Sequence, residues 1–199
     1  MSTKKTYIIF TLLVALGLAA CKNGVQKGVP QKVKSDGQKL TEAYQKQDWK
    51  TIVAIGDTLI GDSDKMNLSI PYAEALAAVG NPQKAIEVLN RKLSSNPDDY
   101  YLYQTKGNVF YSMERFDSAL INYEIVIAMR PTYARPYINE GAIYELLGDK
   151  ENAIANYLVA AKLFAENNYF QETMEYAKRV LTLDSTNVEA KELLNIICE

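Results

Sequence analysis

The sequence predicts an all-α fold, a solenoid of about five helical hairpins, and three observations carry that reading. The chain repeats itself every 34 residues, because Ala85, Ala119 and Ala153 share that spacing, as do the small residues Ala73, Gly107 and Gly141. Large residues return in the same frame: Leu76, Phe110 and Tyr144, then Leu89, Tyr123 and Tyr157. Within each period the apolar residues follow helical spacing twice, and Pro97 and Pro131 fall one period apart just after such a stretch, where a proline stops a helix.

The first twenty residues stand outside this frame. Lys4 and Lys5 precede an uncharged apolar run from Tyr7 to Leu18, too short to span a bilayer as a helix, and Leu18-Ala19-Ala20-Cys21 follows. Those four residues resemble the lipobox of bacterial lipoproteins. The resemblance implies that 1–20 is a signal peptide and that Cys21 is lipidated, with acyl chains holding the protein to a membrane. The alternative is an ordinary signal cut at a small-residue site, with Cys21 left as a loose thiol. From Lys22 to Lys39 there are five lysines and one aspartate, with Gly24, Gly28 and Pro30, which reads as a flexible basic tether, placed at 21–33, ahead of the folded region. Lys22 is not the aspartate that retains enterobacterial lipoproteins in the inner membrane, so the analogy favours an outer-membrane anchor facing the periplasm. From Leu40 onward there are 15 basic and 23 acidic residues, so the body is acidic and the leash basic.

The repeating region spans 34–199. Three units stand in frame, 66–99, 100–133 and 134–167, between atypical ends at 34–65 and 168–199. In the first end, Ala43-Tyr44, Asp48-Trp49 and Thr51-Ile52-Val53 read as a divergent hairpin. In the first full unit, Pro71 shortens the opening helix, and Asn81 before Pro82 reads as a helix cap. In the second, Leu102, Tyr103, Val109 and Phe110 mark one helix and Phe116, Ala119, Leu120, Tyr123, Ile127 and Met129 the other. In the third, Gly148-Asp149 ends one helix and caps the next, and Ala165 stands where a proline would stop the second. The last end offers two pairings. Glu172 to Thr186, closing on Leu183-Asp184-Ser185, looks like a second helix that needs 152–166 as its first. The simpler reading pairs 168–182 with 187–198.

These residues resemble the tetratricopeptide repeat. Tyr103 and Tyr137 stand at its tryptophan-like fourth position, Gly107 and Gly141 at its eighth, Ala119 and Ala153 at its twentieth, and Pro131 at its thirty-second. Ser69 departs from the fourth position of the first unit. The resemblance implies that first helices of successive units line a groove. Its outward positions map onto Glu74, then Tyr101, Gln104, Asn108 and Tyr111, then Arg135, Ile138, Asn139 and Glu145. Members that grip a peptide C-terminal carboxylate use Lys, Asn, Asn, Lys and Arg at particular positions there. Asn108 and Asn139 match the asparagines, but Gln104 replaces the first lysine and no basic pair follows.

Chemistry is scarce. The sequence has no histidine, which excludes Ser-His-Asp and Cys-His catalysis and imidazole metal sites. No phosphate loop, paired cysteines or calcium loop appears, so no catalytic residue, metal or cofactor is expected. A formal net charge of -2 gives no reason to expect nucleic acid. The acidic pairs Asp62/Asp64 and Asp98/Asp99 read as turn and cap residues. Cys198 sits at the edge of the Ala190, Leu193, Leu194, Ile197 stripe and reads as a small core residue. The functional reading is a membrane-anchored adaptor or scaffold of the cell envelope that binds another envelope protein or a peptide segment. The alternative is a saccharide-binding accessory to glycan-processing enzymes, working through the tyrosines.

Overall fold

The computed structural model describes residues 31–59 and 68–198, with side chains over 37–59 and 68–195. Cys21, the signal segment and Asp62/Asp64 lie outside the described residues, as does the side chain of Cys198. The described residues form ten helices and no strand, divided between two compact units, 1–60 and 61–199.

The first unit holds α1 (Gln31–Gln45) and α2 (Trp49–Leu59). Residues 31–33, placed at the end of the flexible tether, are helical instead and continue into the helix from 34 onward. The stretch after Pro30 contains no further proline and is rich in Gln and Lys, which sit well in a helix. Ala43 and Ile52 are buried, Tyr44 meets Trp49 edge to face with centroids 6.0 Å apart, and the Asp48 carboxylate caps α2 by accepting the Thr51 N–H at 3.2 Å.

The second unit contains α3 (Ser69–Ala78), α4 (Pro82–Ser95), α5 (Tyr100–Ser112), α6 (Phe116–Met129), α7 (Ala134–Leu147), α8 (Lys150–Glu166), α9 (Phe170–Leu183) and α10 (Val188–Cys198). Consecutive helices pack in pairs, α3 with α4, α5 with α6, α7 with α8, and α3 also lies against α5. Helix lengths follow the local sequence. With Pro71 in its first turn, α3 has 10 residues, against 13 and 14 in α5 and α7. Lacking a terminal proline, α8 runs for 17 residues, against 14 in α4 and α6. Asp149 caps α8 by accepting the Asn152 N–H at 3.1 Å, and Asp99 caps α5 by accepting that of Tyr101 at 3.0 Å. Asn81 precedes Pro82 as expected, but its side chain makes no capping bond.

The small positions are close approaches. A Cβ placed on Gly141 would lie 2.8 Å from the Tyr157 ring, and one on Gly107 would meet the Tyr123 ring more tightly still. Ala119 and Ala153 are fully buried one turn earlier on the same second helices. The α5–α6 and α7–α8 hairpins are thus each closed by a second-helix tyrosine laid on a first-helix glycine, and the helices cannot close if either residue grows.

Turn geometry separates two kinds of connection. Within a hairpin, one residue takes positive φ (Gln47, Gly80, Glu114, Gly148) and the next N–H reaches back five residues: Asp48 to Ala43, Asn81 to Leu76, Arg115 to Phe110, Asp149 to Tyr144. Between hairpins, Asp99 N–H bonds Asn96 and Tyr133 N–H bonds Arg130, and no residue takes positive φ. The connection from α8 to α9 is of the first kind, with Asn168 at φ 60° and Tyr169 N–H on the Phe164 carbonyl at 2.9 Å. That from α9 to α10 is of the second, with Asn187 N–H on Asp184. This departs from the simpler pairing of 168–182 with 187–198. Helix α8 serves twice, as second helix to α7 and first helix to α9, and one core of Ala153, Tyr157, Ala161, Ala177, Val180, Ala190 and Leu193 joins α8, α9 and α10.

Candidate partner-binding face

The first helices α5 and α7 present the central candidate residues, and the structure brings three of them together. Asn108 Oδ1 accepts three bonds: from Gln104 Nε2 at 3.2 Å, from the Tyr123 hydroxyl at 2.9 Å and from Asn139 Nδ2 at 3.1 Å. Gln104 and Asn108 are one turn apart on α5, Asn139 crosses over from α7, and Tyr123 reaches up from α6 beneath them. With its amide nitrogen committed to Asn108, Gln104 leaves its Oε1 without a partner although only 4% of the residue is exposed. A buried acceptor left unmade costs about 1–3 kcal/mol, so it is a standing demand for a donor.

Nearly two turns farther along α7 the chemistry changes. Glu145 receives the Arg179 guanidinium from α9 in two parallel bonds of 2.8 Å and the Tyr157 hydroxyl at 3.0 Å. Its carboxylate is satisfied within the chain, so Glu145 is a strut between α7 and α9. Tyr111, half buried beside it, is held above the ordinary phenol range by burial first and by the Glu145 charge second. Tyr101 joins Tyr100 and Tyr133 in a ring cluster at the start of α5. The Arg135 charge acts on Tyr133 and on Tyr176 of α9. Ile138 is half buried on α7, and Glu74 is half buried on α3.

Several contributors escaped sequence reasoning. Tyr123 and Tyr157 read as packing residues, and their rings are; their hydroxyls nonetheless enter the face. Burial holds both above the ordinary phenol range. Arg179 was visible only as the residue 34 positions after Glu145. Glu140 lies one place before Gly141, where the earlier units carry Tyr72 and Lys106. It is buried, its Oε1 has no partner, and its carboxyl is pushed up to about 7, by burial foremost and by Glu124 of α6 next. Among the described residues no three acidic or cysteine side chains gather to hold a metal ion, and no helix is long and apolar enough to cross a membrane.

Residues 134–167, the third unit, match the family model described as tetratricopeptide repeat. The fold is that of a tetratricopeptide-repeat protein. The structure is similar to the crystal structure of MamA at a TM-score of 0.59 and 18% identity, covering 80% of this chain and 92% of that one. It is also similar to a thermophilic tetratricopeptide-repeat protein of Thermus thermophilus, TTC0263, at 0.55 and 15%, covering 83% and 98%. Among curated proteins, heat shock protein STI1 of Saccharomyces cerevisiae is 28% identical over 97 residues, 48% of this chain and 16% of that protein. The repeat-containing thioredoxin TDX of Arabidopsis thaliana is 26% identical over 123 residues, 61% and 31%. The mouse protein O-mannosyl-transferase TMTC1 is 29% identical over 101 residues, 49% and 11%. The chain spans less than a third of the length of each of these curated relatives.

Proposed function

We propose that the protein is a non-catalytic adaptor whose α5–α7 face receives an extended peptide segment of a partner. The observation that carries this reading is the unpartnered, buried Gln104 Oε1 beside the Asn108 hub. A backbone N–H of an extended segment is the donor it needs once the Gln104 amide turns outward to meet it, and exposed Tyr101 offers a ring for the flanking side chain. The lipobox-like residues before Cys21 support anchoring to a bacterial membrane, with the body in the periplasm at the outer membrane and an envelope protein as the partner.

Two experiments test the two halves. Palmitate labelling should enter the wild type and not Cys21→Ser; equal labelling of both would sink the anchor. For the face, Tyr101→Ala combined with Gln104→Met should lose crosslinking to the cellular partner while melting stays near wild type. Substituting Asn108 is a poorer probe, because it strands the buried Tyr123 hydroxyl. Capture that persists in the double variant would place the partner elsewhere on the molecule.

A further inference from the structure

We propose that the edge of the second unit where α5 and α7 begin is a docking surface for an acidic segment of the partner protein, held by Arg130 and Arg135 across three tyrosines. The inference rests on the adaptor reading and names the chemistry of the segment. Tyr100 and Tyr101 lie against each other with centroids 4.1 Å apart and their planes tilted by 31°, and Tyr133, from the loop before α7, meets them edge-on at 5.5 and 6.4 Å. The cluster therefore joins the starts of two successive first helices into one surface. Tyr101 remains 51% exposed on it, a large and stiff aromatic surface of the kind that anchors interfaces.

Two cations flank these rings. The Arg130 guanidinium lies 5.2 Å from the Tyr100 centroid, and Arg135 adjoins Tyr133 and Tyr176. Among the described residues neither forms an ion pair, whereas Arg179 and Lys162 both do. Helix α7 adds to the positive field, because it starts directly after Tyr133 with no side-chain cap and no acidic residue in its first turn. Of the carboxylates in the neighbouring 96–99 loop, Asp99 is committed to the Tyr101 N–H and Asp98 is exposed. Glu172 and Glu175 of α9 act on Tyr176 together with Arg135, but among the described residues neither pairs with an arginine of this edge. In a body with an excess of acidic residues, two arginines outside any ion pair beside an exposed aromatic cluster are complementary to carboxylates supplied from outside. Guanidinium groups take these in paired bonds, while aromatic or aliphatic neighbours in the segment pack on Tyr101.

The test uses the full chain in detergent and two fluorescent, capped peptides, one alternating glutamate with alanine and its twin with glutamine for glutamate. Anisotropy should show the acidic peptide binding about tenfold or more tightly than the twin, with the gap closing as salt is raised. Arg130→Gln with Arg135→Gln should bring the acidic peptide down to the level of its twin, and Arg130→Lys with Arg135→Lys should recover most of the difference. Equal binding of the two peptides, no measurable binding of either, or an unaffected double Gln variant of normal helicity would overturn the proposal. So would phosphatidylglycerol vesicles that compete as well as unlabelled acidic peptide, because the surface would then be a lipid site. Gln104→Leu separates this proposal from the adaptor reading. If it abolishes binding of both peptides while the arginine variants bind normally, the peptide face stands and the acidic edge falls. If the arginines matter and Gln104 does not, the edge stands and the groove floor is not the site.

Discussion

Tyr123 and Tyr157 occupy the same place in successive hairpins, yet their hydroxyls end in different chemistry. Each ring lies on a glycine of its partner helix, Gly107 or Gly141, and each is almost fully buried. Above Tyr123 the hydroxyl meets an amide cluster that leaves one buried acceptor unanswered. Above Tyr157 it meets a carboxylate already closed by Arg179. One frame of packing thus carries an open polar site in one unit and a sealed strut in the next. The scaffold and the face it presents are separable, and substitutions at four places can break or sharpen that separation.

The largest effect is expected at the shared frame. Gly107→Ala should lower stability by about 2–3 kcal/mol, because the new Cβ displaces a buried ring and outweighs the helix-propensity gain of about 0.5–1 kcal/mol. Gly141→Ala should cost less, its approach being looser, and chemical denaturation of both variants reads the order. If both changes stabilise the protein, the glycines are not close approaches.

Next comes the position that holds Lys106 in one unit and Glu140 in the next, where burial pushes each towards its neutral form. Below about pH 4 Glu140 is protonated both folded and unfolded, so it costs nothing. As pH rises from there through about 7, the unfolded chain releases its proton first, stability falls, and above 7 the penalty is complete. Glu140→Gln should flatten this slope and raise stability at about pH 8 by about 1–2 kcal/mol. Melting across pH checks the sign. A wild type that grows more stable from pH 5 to 8 relative to the variant would contradict the burial.

The hydroxyls themselves should differ. Tyr123→Phe should cost about 1 kcal/mol, and Tyr157→Phe somewhat less, because Glu145 keeps the Arg179 guanidinium when the phenol is gone. Arg179→Gln should have the smallest effect, below about 1 kcal/mol and fading with salt, because its side chain is half exposed. A large, salt-insensitive loss would mean that the strut holds the fold together.

Period and packing were legible in the sequence because they depend on residue size at fixed spacing. The glycine, alanine and tyrosine positions followed from that alone, and the short α3 and long α8 from Pro71 and from the missing proline at Ala165. The double use of α8 was also written there: Thr173, Ala177 and Val180 repeat the spacing of Ala119, Tyr123 and Val126 on α6. The sequence offers this pairing and the simpler one beside it; the simpler one is preferred there because the strict frame ends at 167 and it needs no shared helix. Polar partnerships were not legible. Nothing in the spacing says that Asn108 turns its oxygen to three donors at once, or that Arg179 reaches back to Glu145, because those contacts depend on how neighbouring first helices lie side by side. Gln31 to Val33 read as the end of the tether because charge was weighed over helix propensity.

Photocrosslinking in intact cells tests the central claim most directly. A photoreactive residue replacing Tyr101, on the first-helix face, is compared with one replacing Ile121, exposed on α6. The account predicts one discrete crosslinked partner from position 101, lost on adding Gln104→Met, and none from position 121. Capture from 121 with none from 101 would show that the partner binds the second helices, and that the open acceptor at Gln104 is not what it reads.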